Sequence, residues 1–503
     1  MISQSGSLPS PESAVGKKNE IFGHPRGLAV LFFTEMWERF SYYGMRALLV
    51  LYMVESVARG GMGYETRHAT SIYGTYTMSV YLLTILGGFV ADNFIGARKA
   101  VLWGGVIIAC GHFSMAIPST SSFFAGLTLI ALGTGLLKPN ISTMVGSLYS
   151  ADDERRDAGF SIFYMGINIG AFAAPLVTGY LAQGAGWKSL LESWGISPHS
   201  SWHWGFAAAG VGMTFGLLVY LKRLHWLAHV GSHPAHSDNQ SRPWGRLVLV
   251  ALGSFALIAI MRLSDDHPGL VWFLFALQIA AVVFFAFRPS PDSKRIAAIL
   301  IFFIAAEIFW ALFEQTGSSI SLFADRLTRN ELSGHSFPSS WWQSVNSIWV
   351  ILLAPIFAYL WLRLGPRQAS SPLKFALGIF FVGLSFLWMV PAAKLTAEGK
   401  VSPVWLLVLF FLQTVGEMLL SPVGLSTMTK LAPQKLMGLV MGIWFLAAAL
   451  GNKLAGVLAG NFTSTNPERL ADFFLHQALF VGAATLVMLA LVPWTKRLMG
   501  GVR

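Results

Sequence analysis

Residues 35–46 have the sequence EMWERFSYYGMR, and they lie in an apolar stretch that extends from residue 27 to residue 57. At about 100° per residue, a helix over this stretch gathers most of its polar and aromatic side chains on one stripe. That stripe consists of Glu35, Glu38, Arg39, Tyr42, Tyr43 and Arg46. A charged side chain at the centre of a bilayer costs at least about 2.5–3.5 kcal/mol. If the helix spans a membrane, its charged stripe must therefore face protein or water.

The composition of the chain indicates that the helix does span a membrane. Of 503 residues, 54% are hydrophobic and only 12% are charged, whereas a soluble domain carries about 25% charged residues. Apolar runs of about 18 residues or more, each long enough to cross a bilayer, recur along the chain. Residues 1–26 are polar, so we expect no cleavable signal peptide and expect the first span to direct insertion. The single cysteine, Cys110, excludes an intrachain disulfide.

The apolar runs form two sets of six principal spans with two further spans between the sets. The first set lies near residues 27–57, 70–94, 98–117, 122–148, 157–183 and 203–222. The second set lies near residues 296–324, 340–364, 372–391, 402–430, 435–461 and 471–496. The extra pair lies near residues 245–262 and 268–288, and the sequence assigns no role to it. Two six-helix halves are typical of the major facilitator fold, so we predict an all-α integral membrane protein with twelve core transmembrane helices in two six-helix bundles.

The predicted organisation has five parts. These are a cytoplasmic segment 1–26, a six-helix bundle 27–222, a linker 223–293 with the two extra helices, a second bundle 294–496 and a cytoplasmic tail 497–503. Lysines and arginines in the loops predict the orientation. With both termini in the cytoplasm, 22 of the 35 basic residues lie on the cytoplasmic side, nine lie outside and four lie within spans. We therefore predict a multi-pass protein of the cytoplasmic (inner) membrane with both termini cytoplasmic.

Nine charged residues are predicted to lie at mid-membrane within the core spans. They are Glu35, Glu38, Arg39, Arg46, Lys138, Glu307, Glu314, Glu417 and Lys453. Because five acids nearly balance four bases, we expect them to pair with one another around a wet central cavity. In the seventh span, Glu307 and Glu314 are seven residues apart, which predicts that they share a helix face close to Trp310. In the tenth span, Glu417 and Ser421 precede a proline that is expected to bend the helix.

Three further segments carry polar residues that could have a function. Asp92, Gly96 and Arg98 lie in a short loop between spans two and three, which is expected to latch helix ends and to set the inward–outward balance. Residues 133–140 lack the Gly-Lys-Ser/Thr order of a phosphate-binding loop, so Lys138 is better interpreted as an anion anchor in the cavity. The polar stretch 229–243 contains three histidines, but ligand spacing alone is weak evidence, and we predict a solvated linker and no metal site.

Three longer motifs occur in order: ExxERFxYYG at residues 35–44, GGFVADNFIG at 87–96 and FxxFYMxINIG at 160–170. They resemble the first-helix motif and the two signatures of the proton-dependent oligopeptide transporter (POT/PTR) family, part of the major facilitator superfamily. The resemblance extends from span one to span twelve, and the extra helix pair is similar to that of the bacterial members. It implies a proton-coupled symporter that imports di- and tripeptides by alternating access. Such a protein is a secondary active transporter and not an enzyme, with protons as the coupling ion and no other cofactor.

The resemblance also implies which residues bind the peptide. Lys138, aided by Arg46, would hold the peptide carboxylate, and Glu417 would pair with the peptide amine. Asn168 and Asn346 would hydrogen-bond the peptide ends and backbone. The side-chain pockets would be lined by Tyr42, Tyr43, Tyr81, Trp310, Ser421 and Trp444.

Gating and proton coupling are implied in the same way. Arg46 and Glu314 would form an outer-gate salt bridge. Proton coupling would involve Glu35, Glu38, Arg39 and Glu314. Mammalian members carry a functional histidine on the second span, but residues 71–94 of this chain contain none. Carboxylates must therefore carry the proton.

The chemistry of two residues independently favours a zwitterionic substrate, because Lys138 and Glu417 lie in different halves and carry opposite charges. A transporter for nitrate would not need Glu417. An integral-membrane enzyme lacks support because no His-Glu-x-x-His, Gly-x-Ser-x-Gly or Cys-x-x-Cys motif is present. A peptide-sensing receptor stays open as an alternative, although no signalling domain follows span twelve. The expected partners are di- and tripeptides, protons and the lipid bilayer, with no nucleic acid and no obligate protein partner.

Overall fold

The computed structural model describes residues 20–150, 153–234, 243–267, 269–332, 334–432 and 437–501. Within these residues the chain is almost entirely helical. Twelve of its helices are long and apolar enough to cross a membrane. The first-span helix and the third-span helix are not among the twelve, and the first carries the charged stripe of residues 35–46. Helices nevertheless occupy all fourteen predicted spans, which agrees with the predicted fold class.

The first half contains six long helices and one short helix. These are α1 (Arg26–Val54), α2 (Thr66–Val90), α3 (Ala97–Met115), α4 (Thr120–Gly146), α5 (Arg156–Gln183), the short α6 (Ala185–Ser193) and α7 (Ser201–Lys222). A two-residue antiparallel hairpin, β1 (Glu20–Ile21) with β2 (His24–Pro25), leads into α1. The helices form because long apolar runs satisfy every backbone hydrogen bond internally, as a bilayer requires.

Two helices follow the first half and form a hairpin of their own. They are α8 (Trp244–Leu263) and α9 (Gly269–Ala286). Both helices are mostly exposed on the surface of the molecule, which is the expected location for apolar helices that face lipid. We call residues 244–286 the linker hairpin.

The second half repeats the six-helix layout. It consists of α10 (Pro291–Phe313), the short α11 (Ser319–Leu327), α12 (Gln343–Leu364), α13 (Ser371–Leu395), α14 (Val404–Leu431), α15 (Met437–Ala459) and α16 (Pro467–Leu498). A 3₁₀ turn, Glu314–Gly317, joins α10 to α11. A second small hairpin pairs β3 (Glu331–Leu332) with β4 (His335–Ser336).

The two halves approach each other closely where α2 crosses α15. A Cβ atom on Gly74 would lie 2.9 Å from the Cα atom of Gly456, so neither position has room for a side chain. This contact lies towards the side on which α1 ends and α2 begins, which we call the distal side. The side on which α1 begins is the terminal side. Helices α5 and α12 also pack together across the interface.

Candidate functional site

A buried carboxylate–guanidinium cluster lies on the inward stripe of α1. Arg39 Nε is 3.1 Å from Glu35 Oε1 and is also paired with Glu38 Oε2. The three side chains are no more than 4% exposed. One oxygen of each carboxylate and one guanidinium nitrogen are buried without a hydrogen-bond partner among the described residues. Such an under-satisfied buried cluster is costly, and a proton delivered to either carboxylate would change its pairing.

A second charge pair joins α1 to the second half near the distal side. Arg46 Nη2 pairs with Glu314 Oε2, and both side chains are buried. Arg46 Nε also donates to Tyr73 Oη at 2.6 Å, which connects the pair to α2. The structure therefore brings together the predicted gate residues Arg46 and Glu314, and it adds Tyr73, which no motif indicated.

Lys138 occupies the wall of the first half without a carboxylate partner. Its Nζ atom lies 3.9 Å from the ring centroid of Tyr81, a cation–π contact. In the part of the chain that the structure describes, no acidic oxygen lies within 4 Å of this ammonium group. Lys138 still interacts electrostatically with Glu35 and Glu38. Its half-buried position leaves the ammonium group available to an anionic ligand.

Glu417 occupies the corresponding position in the second half. Its Oε2 atom accepts a hydrogen bond of 3.2 Å from Asn346 Nδ2, and the same amide donates to Thr414 Oγ1 at 3.0 Å. The carboxylate is half-buried and has no basic group within 4 Å among the described residues. Asn346 thus orients the carboxylate and leaves its charge unpaired.

The predicted polar and aromatic wall residues of the first half lie around these charges. Asn168 Nδ2 donates to the carbonyl of Tyr164 at 3.0 Å within α5, which leaves its second N–H and its amide oxygen for a ligand. Tyr42 and Tyr43 contact each other edge to face, with ring centroids 5.3 Å apart. The Cζ atom of Arg39 lies 5.2 Å from the ring centroid of Tyr42, a cation–π contact.

The predicted pocket residues of the second half differ in how far they are packed. Trp310 packs edge-on against Phe309 and Phe313 but stays partly exposed. Ser421 is half-buried, one helical turn after Glu417. Trp444 is only 7% exposed and is wedged against Gly424, so most of its ring fills space between α14 and α15.

The loop between α2 and α3 is hydrogen-bonded to the segment that follows α7 at the end of the first half. Asp92 lies in a short π-helical turn, Ala91–Ile95, and Gly96 ends this turn with φ +80°, a conformation that favours glycine. Arg98 N donates to Gly231 O at 2.8 Å, and Arg98 Nη2 donates to Ala228 O at 2.6 Å. This loop therefore fixes the start of the linker after α7. Its predicted effect on the inward–outward balance stays a prediction.

Two of the nine buried charges, Glu307 and Lys453, interact with the linker hairpin, contrary to the expectation that all nine pair around one central cavity. The carboxylate of Glu307 interacts electrostatically with Gln278 of α9, whereas Glu314 follows α10 in the 3₁₀ turn and pairs with Arg46. The prediction that these two glutamates share a face stays a prediction, because α10 ends at Phe313 but the backbone N–H of Glu314 still donates to Trp310 O. Lys453 pairs with Asp265 of the linker hairpin.

The distal side is closed by contacts between the halves. Trp341 Nε1 donates to Leu176 O at 3.1 Å, and Ser344 Oγ donates to Phe172 O at 2.7 Å. These bonds tie the start of α12 to α5 and form a second contact between the halves in addition to the crossing of α2 and α15. The charges on Lys138 and Glu417 lie deeper than this closure along their helices.

The histidine-rich stretch is only partly described. His229 and His233 precede the gap, while His236 and Asp238 lie outside the described residues. Among the residues that the structure does describe, no group of three or more His, Cys, Asp or Glu side chains could hold a metal ion.

Comparison with known proteins decides the family. The family model described as "POT family" matches residues 98–473, which is more than half of the chain. The chain belongs to the POT family. This membership confirms the resemblance inferred from the three motifs, and it confirms a transporter rather than an enzyme.

Full-length relatives within the POT family are similar over nearly the whole chain. The peptide transporter YePEPT of Yersinia enterocolitica subsp. palearctica serotype O:3 (strain YE-P4) is 39% identical, with 96% of each chain covered. A di-/tripeptide transporter of Lactococcus lactis subsp. cremoris is 37% identical, covering 96% of this chain and 98% of the relative. A crystal structure of a Glu-to-Gln variant of the peptide transporter POT in complex with alafosfalin superposes with a TM-score of 0.84. It is 38% identical and covers 98% of this chain and 100% of that chain.

The POT-family motifs did not indicate the neutral partners of the charged residues. Tyr73 binds Arg46, and Thr414 shares the amide of Asn346. Asp265 lies between the two extra helices, outside every predicted span, so the sequence predicts no pairing for it. One feature of the sequence does indicate such an acid, because Lys453 is a base within a predicted span for which no acidic partner is predicted.

Proposed function

We propose that this chain is a proton-coupled symporter that imports di- and tripeptides across the cytoplasmic membrane by alternating access. The terminal side faces the cytoplasm and the distal side faces the outside, as the excess of basic residues in the terminal-side loops indicates. The printed names of the relatives, a peptide transporter and a di-/tripeptide transporter, support the same substrate class. Protons are the coupling ion, and the chain needs no other cofactor, nucleic acid or obligate protein partner.

The observation that carries this proposal is the pair of uncompensated charges on opposite walls. Lys138 in the first half and Glu417 in the second half each lack an ionic partner within 4 Å among the described residues, and both are half-buried. A zwitterionic peptide supplies a carboxylate for the lysine and an ammonium group for the glutamate. Because unpaired ends are costly to desolvate, ligands that lack either charge bind poorly.

Proton coupling is assigned to the carboxylates of α1 and to Glu314. Protonation of Glu35 or Glu38 weakens their hold on Arg39 and alters the field at Lys138. Protonation of Glu314 releases Arg46 and so removes the ion pair that joins α1 to the second half. Each event replaces a buried ion pair by a neutral acid and a free base. Proton binding thereby favours the arrangement that opens the distal side.

Peptide binding by the purified protein tests the substrate class. Ligands that bind only the folded state raise the midpoint of thermal unfolding by mass action. We expect dialanine to raise this midpoint, and we expect N-acetyl-dialanine amide, which has neither terminal charge, to raise it far less. Stabilisation by nitrate without stabilisation by any di- or tripeptide would contradict the proposal and favour the small-anion alternative.

A further inference from the structure

The linker hairpin lies across the boundary between the two halves. Helix α8 packs on α2 of the first half, and Trp244 at its start contacts Phe94 in the turn after α2, with ring centroids 4.7 Å apart. Helix α9 packs on α10 of the second half, where the side chain of Gln278 interacts electrostatically with the buried carboxylate of Glu307. Any motion that separates α2 from the second half must therefore change how the hairpin is seated.

The turn of this hairpin carries one carboxylate that contacts both halves. Asp265 Oδ1 and Oδ2 each lie 2.7 Å from Lys453 Nζ on α15. Asp265 Oδ2 also accepts a hydrogen bond of 2.6 Å from Ser71 Oγ on α2. Arg67 Nη2, one turn earlier on α2, donates to the carbonyl oxygen of Asp265 at 3.2 Å.

Burial makes this ion pair energetically asymmetric. The Lys453 side chain is fully buried, whereas the Asp265 side chain is 19% exposed. Besides Asp265, the ammonium group of Lys453 has only the Thr75 hydroxyl of α2, at 2.9 Å, as a described hydrogen-bond partner. Removing one partner of a buried pair leaves an uncompensated charge, which is strongly unfavourable. The closed arrangement would then bury an ammonium group that opening could expose to water.

The position of the pair couples it to the distal gate. Lys453 lies one helical turn from Gly456, whose backbone touches Gly74 at the crossing of α2 and α15. Two hydrogen bonds reach α2 close to this crossing. Lys453 of the second half donates to Thr75, and Asp265 of the hairpin accepts from Ser71. Separating α2 from α15 breaks one or both sets of contacts.

We propose that the linker hairpin is a clasp, in which Asp265 holds Lys453 and α2 together and stabilises the form that is closed on the distal side. The clasp deepens the proposed alternating-access function and rests on it for its role in transport. Asp265 and Lys453 are positioning residues, because neither touches the peptide site around Lys138 and Glu417.

Distances across the distal side measure the clasp directly. Spin labels at Glu192→Cys in the first half and Lys400→Cys in the second half, both exposed, are introduced with Cys110→Ala. Double electron–electron resonance in lipid nanodiscs without peptide then reports the open and closed populations. We expect Asp265→Asn to raise the ratio of open to closed form by about tenfold, equivalent to about 1.4 kcal/mol.

The neighbouring Asp266→Asn is the matched control. Asp266 is exposed on the same turn and acts on Lys453 only through space, so removing its charge should shift the distance distribution far less than Asp265→Asn does. Lys453→Gln removes the buried charge itself and should shift the distances less than Asp265→Asn does, and the double variant should shift no further than Asp265→Asn alone, because both changes remove one interaction. Equal distributions for Asp265→Asn and Asp266→Asn, or additive shifts in the double variant, would overturn the clasp.

The distance measurement separates the clasp from the proposed substrate. Each variant is purified as a monodisperse protein with its unfolding midpoint recorded, so that a misfolded variant is recognised. If Asp265→Asn shifts the distances but no di- or tripeptide is transported, the clasp stands and the substrate proposal fails. If peptides are transported and the distances do not shift, the clasp alone fails.

Discussion

The charged side chains inside the membrane-spanning helices divide into two groups by what they contact. Arg39 pairs with Glu35 and Glu38, and Arg46 pairs with Glu314, so three carboxylates share two guanidinium groups inside the protein. Lys138 and Glu417 instead keep unpaired charges that a ligand can meet. Protonation can change the ion pairs of the first group, and substrate binding can neutralise the charges of the second group. A symporter requires both kinds of response.

The first prediction concerns Glu38. Glu38→Gln removes a titratable group from the α1 cluster while keeping its size, so the variant should lose peptide accumulation driven by a proton gradient. It should retain exchange of labelled for unlabelled peptide, which needs no net proton movement. Glu307→Gln is the control, since its carboxylate contacts Gln278 of the hairpin and not the cluster, and it should keep gradient-driven uptake. Loss of both activities in Glu38→Gln would indicate a structural role.

A second prediction concerns Glu417. A hydrogen bond to a charged group contributes about 1.5–3 kcal/mol, so Glu417→Gln should weaken peptides with a free amine by about tenfold or more. N-acetylated peptides have no ammonium group and should be affected much less. Competition against labelled dialanine in counterflow measures both. An equal loss for the two ligand types would contradict the amine-anchor role.

At the scale of helices, the sequence predicts individual elements well and their mutual arrangement poorly. The charged stripe of α1 follows from the helical repeat, and the structure buries the Glu35, Glu38 and Arg39 side chains together. The environment of Glu307 could not be predicted, because nothing in the local sequence shows that α9 covers it.

The glycine contact between α2 and α15 gives a prediction at this scale. A Cβ atom at Gly456 would lie 2.7 Å from Gly74 Cα, which forces the helices apart. Gly456→Ala should therefore destabilise the distally closed form by about 1–3 kcal/mol and lower the midpoint of thermal unfolding. Gly482→Ala on α16, where a Cβ would meet nothing within 4 Å, should leave the midpoint unchanged or higher. An unchanged midpoint in Gly456→Ala would show that the crossing tolerates separation.

At the scale of the whole molecule, the two six-helix halves and the additional pair were predictable from span number and spacing. The role of the pair was not, because its helices are uniformly apolar and its one important charge, Asp265, lies in the turn. The partner of Asp265 is nearly two hundred residues away in sequence and meets it only in the folded chain. Long-range pairing of this kind leaves no periodic signal in a single sequence.

The orientation of the chain is tested by thiol labelling in intact cells. With Cys110→Ala as background, Val57→Cys on the distal side should react with a membrane-impermeant maleimide. Ser232→Cys on the terminal side should react only after the cells are permeabilised. The reverse pattern would contradict the orientation inferred from the basic residues.

Proton-driven peptide accumulation is the most direct test of the central claim. Purified protein in liposomes is given labelled dialanine with an acidic exterior, and the internal concentration is measured with and without a protonophore. The account predicts accumulation above the external concentration that collapses to equilibrium when the protonophore dissipates the gradient. Failure of the acidic exterior to drive uptake of any member of a di- and tripeptide panel would contradict it.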